Sequence, residues 1–296
     1  MVFKWRHITT IIYIITIGYI SLHSKAKADP IDWRQIELLA EQHPYVVALL
    51  DHTQKYVCTG TIINKRTVLT SGNCIALNPK FVIVGAAIYG KNVNNNSLIE
   101  IAFTRVHADY TFELKVADPN VTRMHSNMGV VIVTRPILEV FITPANIGNY
   151  YASELQNKKL KAIGYGKLYN SDVVGLQHQM YRQAPCTNPK WYYCICGLEL
   201  KAHRRTYVYE FGKGSPVVYG SEVVGISAIA CGTLSLKTYK YNIFTVIGPY
   251  LPWIQKCQLN NTSALMRAKA SKGSTIEQHS LNKCIYILIV VSKVFG

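Results

Sequence analysis

The side chains here that could do polar chemistry fall into four groups. The first is Lys213, set between glycines in Phe211-Gly212-Lys213-Gly214-Ser215. A lysine there is a nucleophile or base if desolvation lowers its pKa, and a plain cation if it stays in water. The second is a pair of amides, Asn73 beside Cys74 and Asn127 before Met128. An amide donates and accepts hydrogen bonds, but it has no titratable nitrogen near neutral pH and no charge. Third are the histidines: His43, His107, His178 and His203 are not at metal-ligand spacing, so structural or surface roles are expected, with no metal and no cofactor. Fourth are eight cysteines, which form disulfides only in an oxidising compartment.

The compartment is read from the start of the chain. Lys4 and Arg6 precede an apolar run from Ile8 to about Leu22, and Ala26-Lys27-Ala28 follows. That is the layout of a secretory signal peptide, 1–28, cut after Ala28. The run is shorter than the roughly 20 apolar residues a membrane span needs. Secretion makes the cysteines disulfide candidates and makes the sequons at Asn95, Asn120, Asn260 and Asn261 candidate glycosylation sites.

The elements that must hold these groups are short strands. Tyr45–Leu50, Phe81–Val84, Val130–Val133, Lys161–Gly166, Val217–Gly225 and Tyr241–Ile247 are β-rich runs separated by Gly, Asn, Asp and Pro clusters. No long helical period intervenes, so an all-β barrel or sandwich is expected, and pattern alone does not choose between them. With 296 residues, 49% of them hydrophobic, the chain can bury a large core as one or two domains.

The choice comes from a resemblance. Val57-Cys58-Thr59-Gly60-Thr61-Ile62-Ile63 with Thr67-Val68-Leu69-Thr70-Ser71-Gly72-Asn73-Cys74 is similar to the CGGSLI…WVLTAAHC stretch of the trypsin-like serine proteases. Ser126-Asn127-Met128-Gly129-Val130-Val131-Ile132-Val133 resembles their NDIALL strand, and Phe211-Gly212-Lys213-Gly214-Ser215-Pro216-Val217-Val218 resembles GDSGGPLV. Ile163-Gly164-Tyr165-Gly166 resembles SGWG, Val224-Gly225-Ile226-Ser227 resembles VGIVS, and Asn242 through Ile254 resembles GVYTRV…Y…WI. The fragments keep order and spacing from about Pro44 to Gln255.

This resemblance implies a chymotrypsin-like fold: two six-stranded antiparallel Greek-key β-barrels with a short C-terminal helix, spanning 29–257. A polar tail, 258–296, with a short apolar end at Cys284 to Val291, is expected to be disordered. The resemblance also implies that the catalytic positions are degenerate. Asn73 stands for the general-base histidine, Asn127 for the buried aspartate and Lys213 for the serine nucleophile. That nucleophile position is part-exposed in the family, which makes Lys213 a solvated or ion-paired cation.

Other parts of the machinery follow. The oxyanion hole of the family uses N–H groups at positions matching Phe211 and Lys213, and Phe211 replaces a glycine. The acid that captures a new N-terminus corresponds to Gly212, and no Arg-Ile-Val-Gly-Gly precedes Pro44. The pocket positions correspond to Tyr207, Ala228, Ile229, Ala230 and Asn242, a set expected to narrow or fill it. The resemblance pairs Cys58 with Cys74 and Cys186 with Cys196. Cys194 competes for the second bridge, the partner of Cys231 is open, and so are Cys257 and Cys284.

The reading is a secreted, catalytically inactive homologue serving as a binding or regulatory module in extracellular proteolysis, with an active protease, its substrate or its inhibitor as partner. One alternative is a serine-type endopeptidase or hydrolase with rearranged catalytic groups, although no new His with Ser or Cys set is visible. Another is a binder of polysaccharide or an anionic surface, suggested by 32 Lys and Arg against 16 acids, a formal charge of +16. The densest clusters are Lys158-Lys159 with Lys161, Lys201 with His203-Arg204-Arg205, and Lys237 with Lys240. Secretion argues against nucleic acid, and no transmembrane segment is expected in the mature chain.

Overall fold

The structure is a computed structural model that describes residues 32–88, 97–115, 118–137, 142–168, 173–186, 191–200, 212–229 and 241–259. The signal peptide, the sequons at Asn95, Asn260 and Asn261, the residues Tyr207, Phe211, Ala230, Cys231 and Cys284, and the basic clusters at 201–205 and 237–240 lie outside the described residues.

Fourteen strands are described. Strands β1 (Val46–Leu50), β2 (Tyr56–Asn64), β3 (Thr67–Thr70), β4 (Phe81–Ile83), β5 (Leu98–Val106) and β8 (Gly129–Val133) close one barrel in the order β1-β2-β3-β8-β5-β4. Strands β9 (Lys159–Lys167), β10 (Val174–Ala184), β11 (Cys194–Glu199), β12 (Pro216–Tyr219), β13 (Glu222–Ile229) and β14 (Tyr241–Val246) close the other in the order β10-β11-β14-β13-β12-β9. Counted within its own barrel, each circuit runs first, second, third, sixth, fifth, fourth, so the same antiparallel winding is used twice. Closure leaves neither barrel with a free edge to template aggregation.

Alternation places the cores. Val47 and Leu49 of β1 enter one cluster with Ile62, Val68, Val82 and Val131, while Leu160 and Ala162 of β9 enter another with Ile195, Val217, Val224 and Phe244. The intervening residues face outward, and where the barrels meet these are buried too. All five residues of β1 and of β8 are buried, which is why both read as unbroken apolar runs.

Several features depart from the expected layout. Val217–Gly225 is a hairpin of β12 and β13, turning at Gly220 with φ +62. The segment before the first strand is a helix, α1 (Trp33–Gln42), which buries Ile36 and Leu39 and packs on β10. A separate hairpin, β6 (Thr111–Lys115) with β7 (Asp118–His125), stands between the strands of the first barrel. A single helical turn, α2 (Gly72–Ile75), follows β3, and the chain's C-terminal helix α3 (Leu251–Leu259) follows a 3-10 turn at Gly248–Tyr250.

Candidate functional site

The site forms at the seam between the barrels, where α2, the loop before β8 and the turn before β12 converge. α2 is pinned from two sides. Cys74 is joined to Cys58 of β2 by a disulfide with Cα atoms 5.9 Å apart. Gly72 lets the turn approach the β7–β8 loop, since a Cβ there would stand 2.6 Å from the Tyr110 ring and 3.2 Å from Asn127 Oδ1.

That approach lets the Asn73 backbone N–H donate to Asn127 Oδ1 at 2.9 Å. Asn127 is fully buried, and its Nδ2 donates to Met124 Sδ at 3.6 Å. The Asn73 side chain crosses the seam, its Nδ2 donating to the Ala228 carbonyl of β13 at 2.8 Å. Both amides therefore serve as structural ties, and neither can take a proton near neutral pH. Next to them Ser126 has φ +47, and its Oγ meets Tyr250 Oη at 3.3 Å and His125 Nδ1 at 3.1 Å.

Lys213 occupies a turn held by backbone contacts. Its carbonyl accepts the Thr59 N–H at 2.8 Å, and the Gly214 N–H donates to the Ser227 carbonyl at 2.8 Å. Gly214, at φ +78, admits no side chain: a Cβ would lie 2.2 Å from both Thr59 O and Thr70 Oγ1 and 3.1 Å from Cys74 Sγ. The Lys213 side chain is exposed, whereas the one serine of this turn, Ser215, is fully buried, with no hydrogen-bond partner for its Oγ among the described residues. The turn thus presents a cation outward and keeps its hydroxyl inside. The Gly212 N–H, at φ +67, donates to the Tyr165 carbonyl at 3.2 Å.

Of the five positions expected to form a pocket, the side chains of Ala228 and Asn242 are described, and both are buried. Ala228 is fully buried against Met124, Trp191, Cys196 and Ile243. Asn242, buried in β14, hydrogen-bonds the Tyr181 side chain, whose phenol burial holds well above its ordinary value. Ile229 closes β13, and its side chain lies outside what is described. Cys186 is bonded to Cys196, while among the described residues Cys194 and Cys257 are free thiols. Burial pushes the Cys194 thiol up, away from the thiolate form. Asn120 lies in β7 with its side chain outside the description.

Three residues of this site carry no signal in the sequence. Met124, Trp191 and Tyr110 come from the β6–β7 hairpin region and the loop before β11, and a bridge between Met124 and Trp191 brings two of them side by side. Of the histidines, His43 and His178 lie near enough to interact beside β9, whereas His107 packs its ring on Tyr250 and Trp253 at 5.3 and 5.2 Å.

Two six-stranded antiparallel barrels with their polar groups at the seam define a chymotrypsin-like protein. The trypsin family model matches residues 36–254, and the chain belongs to the trypsin family. The snake venom serine protease homolog rhinocerase 2 of Bitis rhinoceros is 25% identical over 241 residues, covering 75% of this chain and 85% of that one. The factor V activator of Macrovipera lebetinus is 23% identical over 243 residues, covering 75% and 86%. Among solved structures, a mutant of human heparin binding protein (CAP37) superposes with a TM-score of 0.60 at 16% identity, covering 74% of this chain and 93% of that one. Kallikrein-related peptidase 10 in complex with Zn2+ gives 0.57 at 17% identity, covering 75% and 98%. These structural likenesses speak to the fold alone.

Proposed function

We propose that this chain is a secreted, catalytically inactive member of the trypsin family that acts as a binding or regulatory module in extracellular proteolysis. The observation that carries the reading is the amide pair at the seam. Asn127 Oδ1 accepts the Asn73 backbone N–H, Asn73 Nδ2 donates to the Ala228 carbonyl, and neither amide can take a proton near neutral pH, so neither can activate a nucleophile. Ser215 is buried at the back of its turn and Lys213 faces solvent, so the turn offers no hydroxyl to a substrate. The name of the Bitis relative, a serine protease homolog, supports the same reading. The disulfides support an oxidising compartment, and no helix among the described residues is long and apolar enough to cross a membrane.

The partner is an extracellular protein, such as an active protease, its substrate or its inhibitor. A second reading, binding of an anionic polysaccharide, is favoured by the formal charge of +16. The full secreted chain, treated with a fluorophosphonate serine probe and a mixed peptide library, tests the main reading. No labelling and no turnover above a matched blank is the expected result. Turnover that disappears in Lys213→Ala would overturn it.

A further inference from the structure

On the face of β9 turned away from the core of its own barrel, three nitrogen side chains converge. Lys161 of β9 and His178 of β10 lie diagonally on one face of their ladder, where Lys161 pairs with Met180 and Ile163 with His178. His43 reaches over them from the link between α1 and β1, held by its N–H to the Leu39 carbonyl at 3.1 Å and its carbonyl to the Val46 N–H at 3.0 Å. Lys161 Nζ sits 3.0 Å from His43 Nε2, and His43 Nδ1 sits 2.9 Å from Tyr45 Oη.

The donor inventory orients this chain of contacts. An amine or ammonium donates to the lone pair on Nε2, so the imidazole is neutral and carries its proton on Nδ1, facing Tyr45. Burial first, and then the charges of Lys161 and His178, oppose protonation of His43. Burial also holds the Lys161 ammonium below its ordinary range, and neither residue meets a carboxylate among the described residues. Tyr45, whose phenol burial pushes up to about 12, stays neutral, and Glu37 and Glu41 of α1 are exposed and bring no charge to bear on His43 or Lys161. A half-buried amine whose one N–H is fixed on an imidazole turns its remaining face, with the lone pair when neutral, toward solvent.

We propose that Lys161 is a reactive amine site that condenses with small aldehydes, with His43 as the residue that positions it. The Nζ lone pair attacks the carbonyl carbon and the C=O π pair moves to oxygen. One proton passes through solvent from nitrogen to that oxygen to give a carbinolamine. Solvent delivers a second proton to the hydroxyl, water leaves as the nitrogen lone pair closes the C=N bond, and the iminium returns its N–H proton to solvent to give the imine. One aldehyde is consumed and one water released, with no change of oxidation state.

The test is to treat the folded chain with glyoxylate, trap the imine with cyanoborohydride and map adducts by peptide mass spectrometry across pH. The expected result is labelling of Lys161 several-fold faster than of exposed Lys213 at pH 7. Its rate is expected to level off below 10.5, the ordinary lysine value. Lys161→Arg should abolish the fast phase and leave the slow phase unchanged. Labelling ordered by exposure, with Lys213 ahead, or profiles for the two lysines that run parallel with pH, would overturn the proposal. So would a fast phase that survives in Lys161→Arg.

Discussion

The Oδ1 of Asn127 accepts the backbone N–H of Asn73 at 2.9 Å, linking the loop before β8 to the single turn after β3 through one fully buried amide. Among the described residues the Asn127 side chain hydrogen-bonds that N–H and the Met124 sulfur, a setting that suits a neutral group. Asn127→Asp places a carboxylate there with one N–H donor and no cation. We expect a loss of about 2 to 5 kcal/mol in urea denaturation at pH 7, because an unpaired buried charge is expensive, and no gain of peptidase activity. Undiminished stability would mean that water or an ion reaches this position.

A second prediction contrasts two glycines with similar backbone angles. Gly220, at φ +62, has open space around a virtual Cβ, whereas Gly214, at φ +78, has Thr59 O and Thr70 Oγ1 at 2.2 Å. Gly220→Ala should cost about 1 to 2 kcal/mol, the conformational penalty alone. Gly214→Ala should cost clearly more, upwards of about 3 kcal/mol, since backbone must move. Equal costs from chemical denaturation would refute the packing argument.

Removal of the Cys58–Cys74 bridge probes the same seam. The sequence separation is 16, and a loop of that size is worth about 3 kcal/mol through the unfolded chain. Cys58→Ala/Cys74→Ala should fall by about 2 to 4 kcal/mol, measured by denaturation of the oxidised proteins. A change below about 1 kcal/mol would show that packing of Asn73 and Asn127 holds α2 unaided.

Acid should weaken the link between α1 and the barrels. Burial first, then Lys161 and His178, lower His43 from 6.5 to about 4. The folded state therefore binds fewer protons at His43 than the unfolded state between those values. Its contribution is present above 6.5 and is lost as pH falls from 6.5 through about 4. Because the imidazole is only half-buried, we discount the full linkage for screening and expect about 1 to 2 kcal/mol. His43→Gln should flatten this part of the stability curve; an unchanged slope between pH 6.5 and 4 would contradict it.

Local pattern carried the strands that have apolar alternation or an unbroken apolar run. The runs at 45–50, 81–84 and 241–247 match β1, β4 and β14 to within a residue or two. Val217–Gly225 did not declare its turn, since Tyr219-Gly220-Ser221 interrupts hydrophobicity only briefly. α1 was missed because only Ile36 and Leu39 are buried, too few positions to set a helical period, and exposed Leu38 blurs it.

Side-chain chemistry divides in the same way. That Asn73 and Asn127 can neither titrate nor carry charge follows from their residue types, before any fold is known. That Asn73 is spent on the Ala228 carbonyl, 155 residues away, follows only from barrel closure. Lys161 and His43, 118 residues apart, carry no mutual signal in the chain. The sequence by itself determined the alternation, the cysteine spacing and the chemical limits of each side chain, because these are local or intrinsic. The tertiary structure alone decided which groups share a desolvated neighbourhood, because burial and pairing depend on how two closed sheets are brought together and not on distance along the chain.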